Sequence, residues 1–362
     1  MKTQHDIAII DCHTHCIGDD PLESIRLLHD GISEHTESNR YTVLSLSGGD
    51  FLCEKTVLQN LVCLLLKAQH PDQVYAFGGL YHYFQDTNPS AIDHASNTAL
   101  LLDAGFDGMK MIEGKPTAWK KLSRPLGAPY YDSYYALLAE RGKPLLMHVA
   151  DPDYDWDAAR ITEDAKKRGF FYGDGSFPSW EQLHVEAENI VKKHPALRMV
   201  FAHFFYLAID LSRARRLLDT YENVMFDICL GPQIYRQIAR EPDVFREFFL
   251  RYQDRLLFGT DFVGSDLKND IQNTEMIRRV LETDDAFPMW DETLQGILLP
   301  EAVLEKVYRT NFDRLVGPIN PINPGAATKV FAQAEQLIGL LDNKHAAQQK
   351  LALLWEHFER CI

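Results

Sequence analysis

Short apolar runs alternate with helical patterns along most of this chain of 362 residues. The runs are rich in β-branched residues and almost continuous, as strands buried on both faces are. The segments that follow them place apolar residues at helical spacing. Eight runs of this kind lie at residues 7–10, 41–46, 74–80, 107–112, 144–149, 197–203, 224–228 and 256–261.

The segments between the runs predict helices at 21–29, 56–69, 89–104, 131–140, 179–193, 211–220 and 242–252. Gly105 and Gly142 follow two of them, as C-terminal caps do, and Ser179 begins a capping box with Gln182. Eight strands alternating with helices predict the α/β class, and eight is the number that closes a (β/α)8 TIM barrel. An open, doubly wound sheet is the competitor, but no nucleotide-type glycine fingerprint follows the first run.

The pattern changes after the eighth run. A helix is predicted at 300–314, a linker rich in proline and asparagine at 317–325, and one or two amphipathic helices at 327–359. We therefore expect a barrel over residues 1–317 and a C-terminal linker and helical extension over 318–362. Packing of the extension on the barrel is favoured, and a homodimer contact is the alternative.

Composition and charge argue against several kinds of partner and of cellular location. The formal charge of −15 argues against nucleic acid or an anionic membrane as a partner. No apolar run is long enough to span a membrane, and residues 1–6 are too polar for a signal peptide. The six cysteines are scattered, which favours a reduced compartment. We expect a cytoplasmic protein whose partner is a small molecule.

Side chains that can bind a metal lie at the ends of four of the eight runs. The first run leads to His13 and His15, whose side chains share one face of a strand because they are two positions apart. His148, His203 and Asp261 end the fifth, sixth and eighth runs. The carboxyl ends of barrel strands meet at one rim, so we expect these groups to lie together. Imidazole with carboxylate suits zinc, with manganese or iron as alternatives.

These motifs resemble those of the metal-dependent amidohydrolase superfamily. The likeness is carried by Asp11-Cys12-His13-Thr14-His15, Met147-His148, Val200-Phe201-Ala202-His203 and Leu257-Phe258-Gly259-Thr260-Asp261. It spans about residues 7 to 317 and is nearest to the amidohydrolase-related branch, which also contains zinc-dependent non-oxidative decarboxylases.

The resemblance implies a role for each strand-end residue. His13, His15 and His148 would hold one divalent metal, with Asp261 as a ligand or near-ligand. Asp261 would take the proton from the metal-bound water, and His203 would polarise the substrate, steady the oxyanion or complete a second metal position. A divalent metal lowers the pKa of its water from about 15.7 to near 7. A neighbouring carboxylate can accept that proton and deliver it to the leaving group.

In this superfamily the fourth strand decides the number of metals. Here it carries Lys110 and Glu113, which have opposite parity, so only one can point inward from a regular strand. Lys110 could be a carbamate bridge, a cation for a substrate carboxylate, or a barrel lysine paired with an acid. We favour the cation, and therefore a single metal. Glu113 is expected to support the site rather than to bind the metal.

Four weaker candidates follow. Asp11 shares parity with the two histidines and could orient one of them, or it could simply end the strand. Tyr81 and His82 follow the third run and could contact substrate, or they could belong to an ordinary aromatic loop. The segment after His148, residues 151–178, could be a lid or a solvated turn.

We therefore expect a metal-dependent hydrolase that attacks an amide, ester or lactone carbon of a small, carboxylate-bearing molecule. The alternative is a metal-dependent decarboxylase of an aromatic or unsaturated acid. A non-catalytic, metal- or ligand-binding barrel is the second alternative. Specificity in this architecture sits in variable loops, so the substrate does not follow from the strand-end residues.

Overall fold

The computed structural model of the protein describes residues 7–83 and 93–362. Its main sheet holds eight strands in chain order. They are β1 (Ile9–Thr14), β2 (Ser38–Leu44), β3 (Val74–Gly78), β4 (Gly108–Gly114), β5 (Leu145–Val149), β6 (Met199–Phe201), β7 (Val224–Asp227) and β8 (Leu256–Leu257). The strands are parallel, and helices connect them. The fold is a (β/α)8 TIM barrel with C-terminal helices, which confirms the predicted fold class.

The connections and the C-terminal region are mostly helical in the part of the chain that the structure describes. The helices are α1 (Pro21–His35), α2 (Glu54–Gln69), α3 (His94–Ala104), α4 (Pro116–Leu122), α5 (Asp132–Arg141), α6 (Glu163–Lys167), α7 (Trp180–Lys193), α8 (Leu211–Thr220), α9 (Pro232–Arg240), α10 (Pro242–Arg251), α11 (Leu267–Glu282), α12 (Glu301–Glu305), α13 (Asn311–Val316), α14 (Pro324–Gly339) and α15 (Lys344–Glu359). A hairpin of β9 (Ala286–Met289) and β10 (Glu292–Gln295) follows α11.

Every predicted run overlaps an observed strand, and α8 matches its prediction at both ends. Gly105 and Gly142 cap α3 and α5 in the left-handed conformation, with φ of 115° and 59°. The Ser179 side chain accepts a hydrogen bond from the backbone of Gln182. The predicted start of the helix at 89–104 lies outside the described residues, as do residues 1–6.

The chain forms two compact units. The first unit comprises Met1–Leu44, His70–Tyr75 and Val200–Ile319. Within it, backbone hydrogen bonds join β1 to the segment that follows β8: Cys12 N–H donates to the carbonyl of Phe258 at 2.9 Å.

The second unit comprises Ser45–Gln69, Ala76–Met199 and Asn320–Ile362. In this unit α14 packs against α3, and α15 packs against α2. The side chain of Gln333 donates to Asn97 at 2.6 Å. The predicted domain division after residue 317 stays a prediction. None of the described helices combines the length and the hydropathy that crossing a membrane requires.

Candidate metal centre

Two imidazoles from β1 face each other in the first unit. The Nε2 atoms of His13 and His15 lie 3.1 Å apart. The other nitrogen of each ring has an acceptor: His13 Nδ1 donates to Asp227 Oδ2 at 2.8 Å, and His15 Nδ1 donates to the carbonyl of Leu44 at 3.0 Å. These acceptors keep the protons on Nδ1, so both Nε2 lone pairs are directed at the same place. Two lone pairs this close repel each other unless they share a cation.

Asp261 brings a carboxylate to the same place. Its Oδ1 lies 3.4 Å from His15 Nε2 and 3.7 Å from His13 Nε2. The Asp261 N–H donates to the carbonyl of His13 at 2.8 Å, which ties the segment after β8 to β1. Its φ of 62° is left-handed, a strained conformation of the kind that clusters at functional sites. The Asp261 side chain is 33% exposed while the His13 side chain is 1% exposed, so solvent reaches this group of residues at the carboxylate.

The three side chains fit a divalent transition metal. One ligand atom from each of His13, His15 and Asp261 lies within 4.8 Å of the others. Two nitrogens bound to zinc at about 2.0–2.1 Å in a tetrahedral site are about 3.3 Å apart. The observed Nε2 separation of 3.1 Å is close to that value. We define His13, His15 and Asp261 as the candidate metal centre.

Asp11 binds backbone N–H groups beside this centre. The register of β1 with β2 shifts between Asp11 and Thr14, so the regular alternation that placed Asp11 with the histidines is broken. Its carboxylate accepts hydrogen bonds from the N–H groups of His13 and Thr260, at 3.0 and 3.1 Å, and from the Thr260 hydroxyl at 2.5 Å. Burial raises the pKa of Asp11 to about 7. Asp11 therefore fixes the backbone of β1 and of the segment that follows β8, and orientation of an imidazole by Asp11 stays a prediction.

Asp227, at the end of β7, orients the His13 ring and was missed in the sequence. Besides His13 Nδ1, it accepts hydrogen bonds from the N–H groups of His203 at 2.7 Å and Cys229 at 3.2 Å. It is fully buried. Asp227 ends the seventh apolar run, the position at which the other site residues were sought, so the same signal would have identified it.

His203 lies beside His13, with the ring centroids 5.3 Å apart. Its Nδ1 donates to the carbonyl of Leu230 at 2.9 Å, and the Cys229 thiol lies 3.1 Å from Nδ1 of both histidines. His13, His203 and Cys229 are close enough to hold a metal. However, the nitrogens that face the thiol already donate to Asp227 and Leu230, and burial raises the thiol pKa well above its ordinary value. This donor set does not favour a second metal at His203; its predicted role towards substrate stays a prediction.

The backbone that carries His203 is left-handed over residues 203–206, with φ between 50° and 57°. Such a conformation costs about 1–2 kcal/mol per residue. Aromatic packing offsets this cost, because Phe204 contacts Phe226 at 5.3 Å and Phe205 stacks on Phe201 at 4.0 Å between centroids. Burying each phenylalanine contributes about 1.5–3 kcal/mol. The aromatic core therefore fixes the direction of the His203 side chain.

In the second unit, His148 ends β5 beside a carboxylate of its own. His148 Nε2 donates to Asp151 Oδ1 at 3.2 Å. Asp151 also accepts from Lys115 Nζ at 2.7 and 2.8 Å and from the Tyr172 hydroxyl at 2.6 Å. Burial lowers the pKa of His148 to about 4, so the ring is neutral, as a metal ligand must be. Burial alone would raise the pKa of Asp151, but Lys115 and His148 hold it below its ordinary value. The role of His148 as a ligand stays a prediction.

Lys110 and Glu113, both on β4, are each 1% exposed. Strict alternation would let only one of them point inward, but the strand is not regular. The register of β4 with β5 shifts between Met111 and Gly114, and a bulge of this kind reverses the alternation of side chains. Lys110 lies near enough to His148 to contribute to lowering its pKa. Binding of a substrate carboxylate by Lys110, and its carboxylation, stay predictions.

His82 forms a buried pair with Glu113 in the second unit. His82 Nε2 and Glu113 Oε1 are 2.7 Å apart, and the His94 ring lies 5.4 Å from the His82 ring. The Tyr81 hydroxyl donates to the carbonyl of Val57 in α2 at 3.3 Å. Both His82 and Tyr81 are buried. Substrate contact by either stays a prediction that these bonds do not support, whereas Glu113 has a clear role in holding His82.

We expect His94→Phe to reduce the loss of stability in acid. Burial lowers the pKa of His94 to about 3, whereas an unfolded histidine has a pKa of about 6.5. Between these values the unfolded chain binds the extra proton, so the free energy of unfolding falls as pH drops, by up to about 1.4 kcal/mol per unit. Urea unfolding at about pH 7, 6 and 5 should therefore give a steeper decline for the wild type than for the variant. Exposed His345, changed to glutamine, is the control, and equal declines in wild type and His94→Phe would contradict the prediction.

Comparison with known proteins gives the same fold. A family model described as amidohydrolase matches residues 10–317. No curated protein matches the sequence. An uncharacterised TIM-barrel protein from Bordetella bronchiseptica is similar in structure, with 14% identity, a TM-score of 0.55, and coverage of 89% of this chain and 100% of that one. So is 4-oxalomesaconate hydratase from Rhodopseudomonas palustris, with 16% identity, a TM-score of 0.51, and coverage of 90% and 99%.

Proposed function

Because this chain belongs to the amidohydrolase family, we propose that it is a metal-dependent hydrolase of a small amide, ester or lactone. The observation that carries the proposal is the facing pair of Nε2 atoms on His13 and His15, 3.1 Å apart, with both Nδ1 atoms bound to acceptors. Asp261 adds a carboxylate within reach of both. One zinc ion per chain suits this donor set, with manganese or iron as alternatives. His148 is the further ligand we propose.

In the proposed reaction, water is activated by the metal ion, and side chains of the protein transfer the proton and bind the substrate. A bound divalent ion supplies water with a pKa near 7 instead of about 15.7. Asp261 accepts the proton of the attacking water, since its carboxylate lies beside the two imidazoles and is partly exposed. It then delivers the proton to the leaving group. His203, 5.3 Å from His13 between centroids, polarises the carbonyl, and Lys110 binds a carboxylate of the substrate.

Turnover assays test this proposal. Zinc-loaded protein is given small esters, lactones and amides, with and without a carboxylate, and product formation is followed before and after a chelator. Turnover that disappears with the chelator and returns with zinc supports the hydrolase. The same ligand set suits the alternative, a decarboxylase, so aromatic and unsaturated acids are assayed in parallel. Released carbon dioxide with a shift in ring absorbance would favour the lyase. Stoichiometric metal binding without turnover of any compound would favour a binding protein.

We expect about one metal equivalent per chain, because two neutral imidazoles and one carboxylate form a single donor set. Elemental analysis of protein dialysed against zinc measures this. His13→Ala is the control and should lose most of the bound metal. Two equivalents together with a carboxylated Lys110 would overturn the one-metal proposal.

Location and assembly are inferred from the sequence. The scattered cysteines favour a reduced compartment, and we propose the cytoplasm; cell fractionation tests this. A homodimer contact through the C-terminal helices stays the alternative to their packing on the barrel, and light scattering tests it.

A further inference from the structure

Four side chains in the second unit form a hydrogen-bonded group that we call the Asp151 cluster: Lys115, His148, Asp151 and Tyr172. Both oxygens of Asp151 are bound. Oδ1 accepts from His148 Nε2 at 3.2 Å and Lys115 Nζ at 2.7 Å, and Oδ2 accepts from Lys115 Nζ at 2.8 Å and the Tyr172 hydroxyl at 2.6 Å. The Asp151 side chain is only 7% exposed, so water competes little for these bonds.

The donors come from three different places in the chain. Lys115 directly follows β4, His148 belongs to β5, and Tyr172 lies in the segment 151–178. Asp151 therefore links the ends of two barrel strands to this segment. A carboxylate held by two outer donors has a fixed orientation, and the imidazole that bonds to it acquires a fixed ring orientation and tautomer.

From this geometry we propose that Tyr172 and Lys115 are positioning residues that act on His148 through Asp151. The inference rests on the proposed function, in which His148 is a metal ligand. The segment 151–178 thereby gains a definite role, because its fold places Tyr172. Through Asp151, this segment sets how well His148 is presented to the metal.

Tyr172 is held by its ring as well as by its hydroxyl. The ring packs against Trp156 at 4.8 Å and against Phe177 at 4.9 Å between centroids. Trp156 in turn donates to the carbonyl of Pro178 at 3.0 Å. Loss of the hydroxyl alone therefore leaves the segment in place, so that Tyr172→Phe removes one of the two hydrogen bonds to Asp151 Oδ2 without removing the packing.

The test measures binding of Co²⁺ alone to the full-length protein, by competition with a chelator and by the visible absorption of the ion. Tyr172→Phe should lower Co²⁺ affinity about 10-fold, and Lys115→Met should lower it by about 10- to 100-fold. Both should also change the absorption spectrum. The controls remove similar bonds away from Asp151 and from the segment 151–178: Tyr135→Phe, whose hydroxyl donates to Leu126 at 2.8 Å, and Lys350→Met, whose ammonium donates to Glu54 at 2.5 Å.

The outcomes separate this inference from the proposed function. The controls should keep wild-type affinity and spectrum. If Tyr172→Phe and Lys115→Met also keep them while His148→Ala loses the ion, the positioning role is wrong and the proposed function stands. Equal losses in the controls would show a general loss of stability and would also overturn it. A wild type that binds no Co²⁺, or a His148→Ala variant that binds it normally, would overturn the ligand assignment and this inference with it.

Discussion

Asp261→Asn is expected to remove most of the turnover while the protein keeps its fold and much of its metal. The amide cannot accept the proton of the attacking water, and a general base contributes about 10²- to 10⁴-fold to a rate. The substitution is mild for the backbone, because asparagine tolerates the φ of 62° found there, and the N–H bond to His13 does not involve the side chain. Steady-state kinetics and metal analysis on the same preparation measure both effects.

The matched control for Asp261→Asn is Asp266→Asn, an exposed aspartate nearby in the chain that bonds to Asn269. It should leave kcat and metal content unchanged. Normal turnover of Asp261→Asn at saturating metal would refute the role as a base. Loss of activity in proportion to loss of metal would instead make Asp261 a ligand only.

The local parts of the site could be predicted from the sequence. An apolar run that ends in His13-Thr14-His15 predicts a strand with two imidazoles on one face, and the structure brings their Nε2 atoms together. The run that ends in Asp261 predicts a carboxylate at another strand end, and the structure places it beside them. The first prediction depends only on residues close together in the chain. The second also depends on the predicted barrel, which brings the carboxyl ends of its strands to one rim.

The rule that side chains alternate between the two faces of a strand is unreliable where the register of two paired strands shifts. Bulges between Asp11 and Thr14 and between Met111 and Gly114 change which side chains share a face. A bulge is a property of two paired strands, so the residues of one strand do not show it. The sequence does not show the left-handed conformation of residues 203–206 for a similar reason. Aromatic rings that are distant in the chain offset the free-energy cost of this conformation.

Other features were missed although the sequence carried a signal. Helix α11 (Leu267–Glu282) has apolar residues at helical spacing, such as Met276, Ile277 and Val280, that bury one face. The hairpin that follows it gives a weaker signal, since Pro288 interrupts β9. Asp227 ends a recognised strand, so its position at a strand end could have marked it as a site candidate, but the sequence does not say which ring it contacts. Only the fold shows that contact.

Asp227→Asn is expected to lower metal affinity about 10- to 100-fold, although Asp227 does not belong to the candidate metal centre. The amide oxygen can still accept from the N–H groups of His203 and Cys229. The amide nitrogen, however, is a donor and would face His13 Nδ1, which lies 2.8 Å from the carboxylate in the wild type. His13 must then carry its proton on Nε2, the nitrogen whose lone pair is proposed to bind the metal. Competition with a chelator for zinc measures the loss.

The comparison that isolates this tautomer effect is Asp270→Asn in the same unit. Asp270 is also buried, and its carboxylate accepts from the backbone N–H of Gly264 at 2.8 Å rather than from an imidazole. Both variants neutralise a buried carboxylate, but only Asp227→Asn changes the hydrogen-bond partner of a proposed metal ligand, His13. Wild-type zinc affinity in Asp227→Asn would show that the His13 tautomer does not depend on Asp227. Equal losses of zinc affinity in both variants would attribute the effect to the lost negative charge rather than to the proton on His13. Of the two aspartates, only Asp227 bonds to the His13 ring.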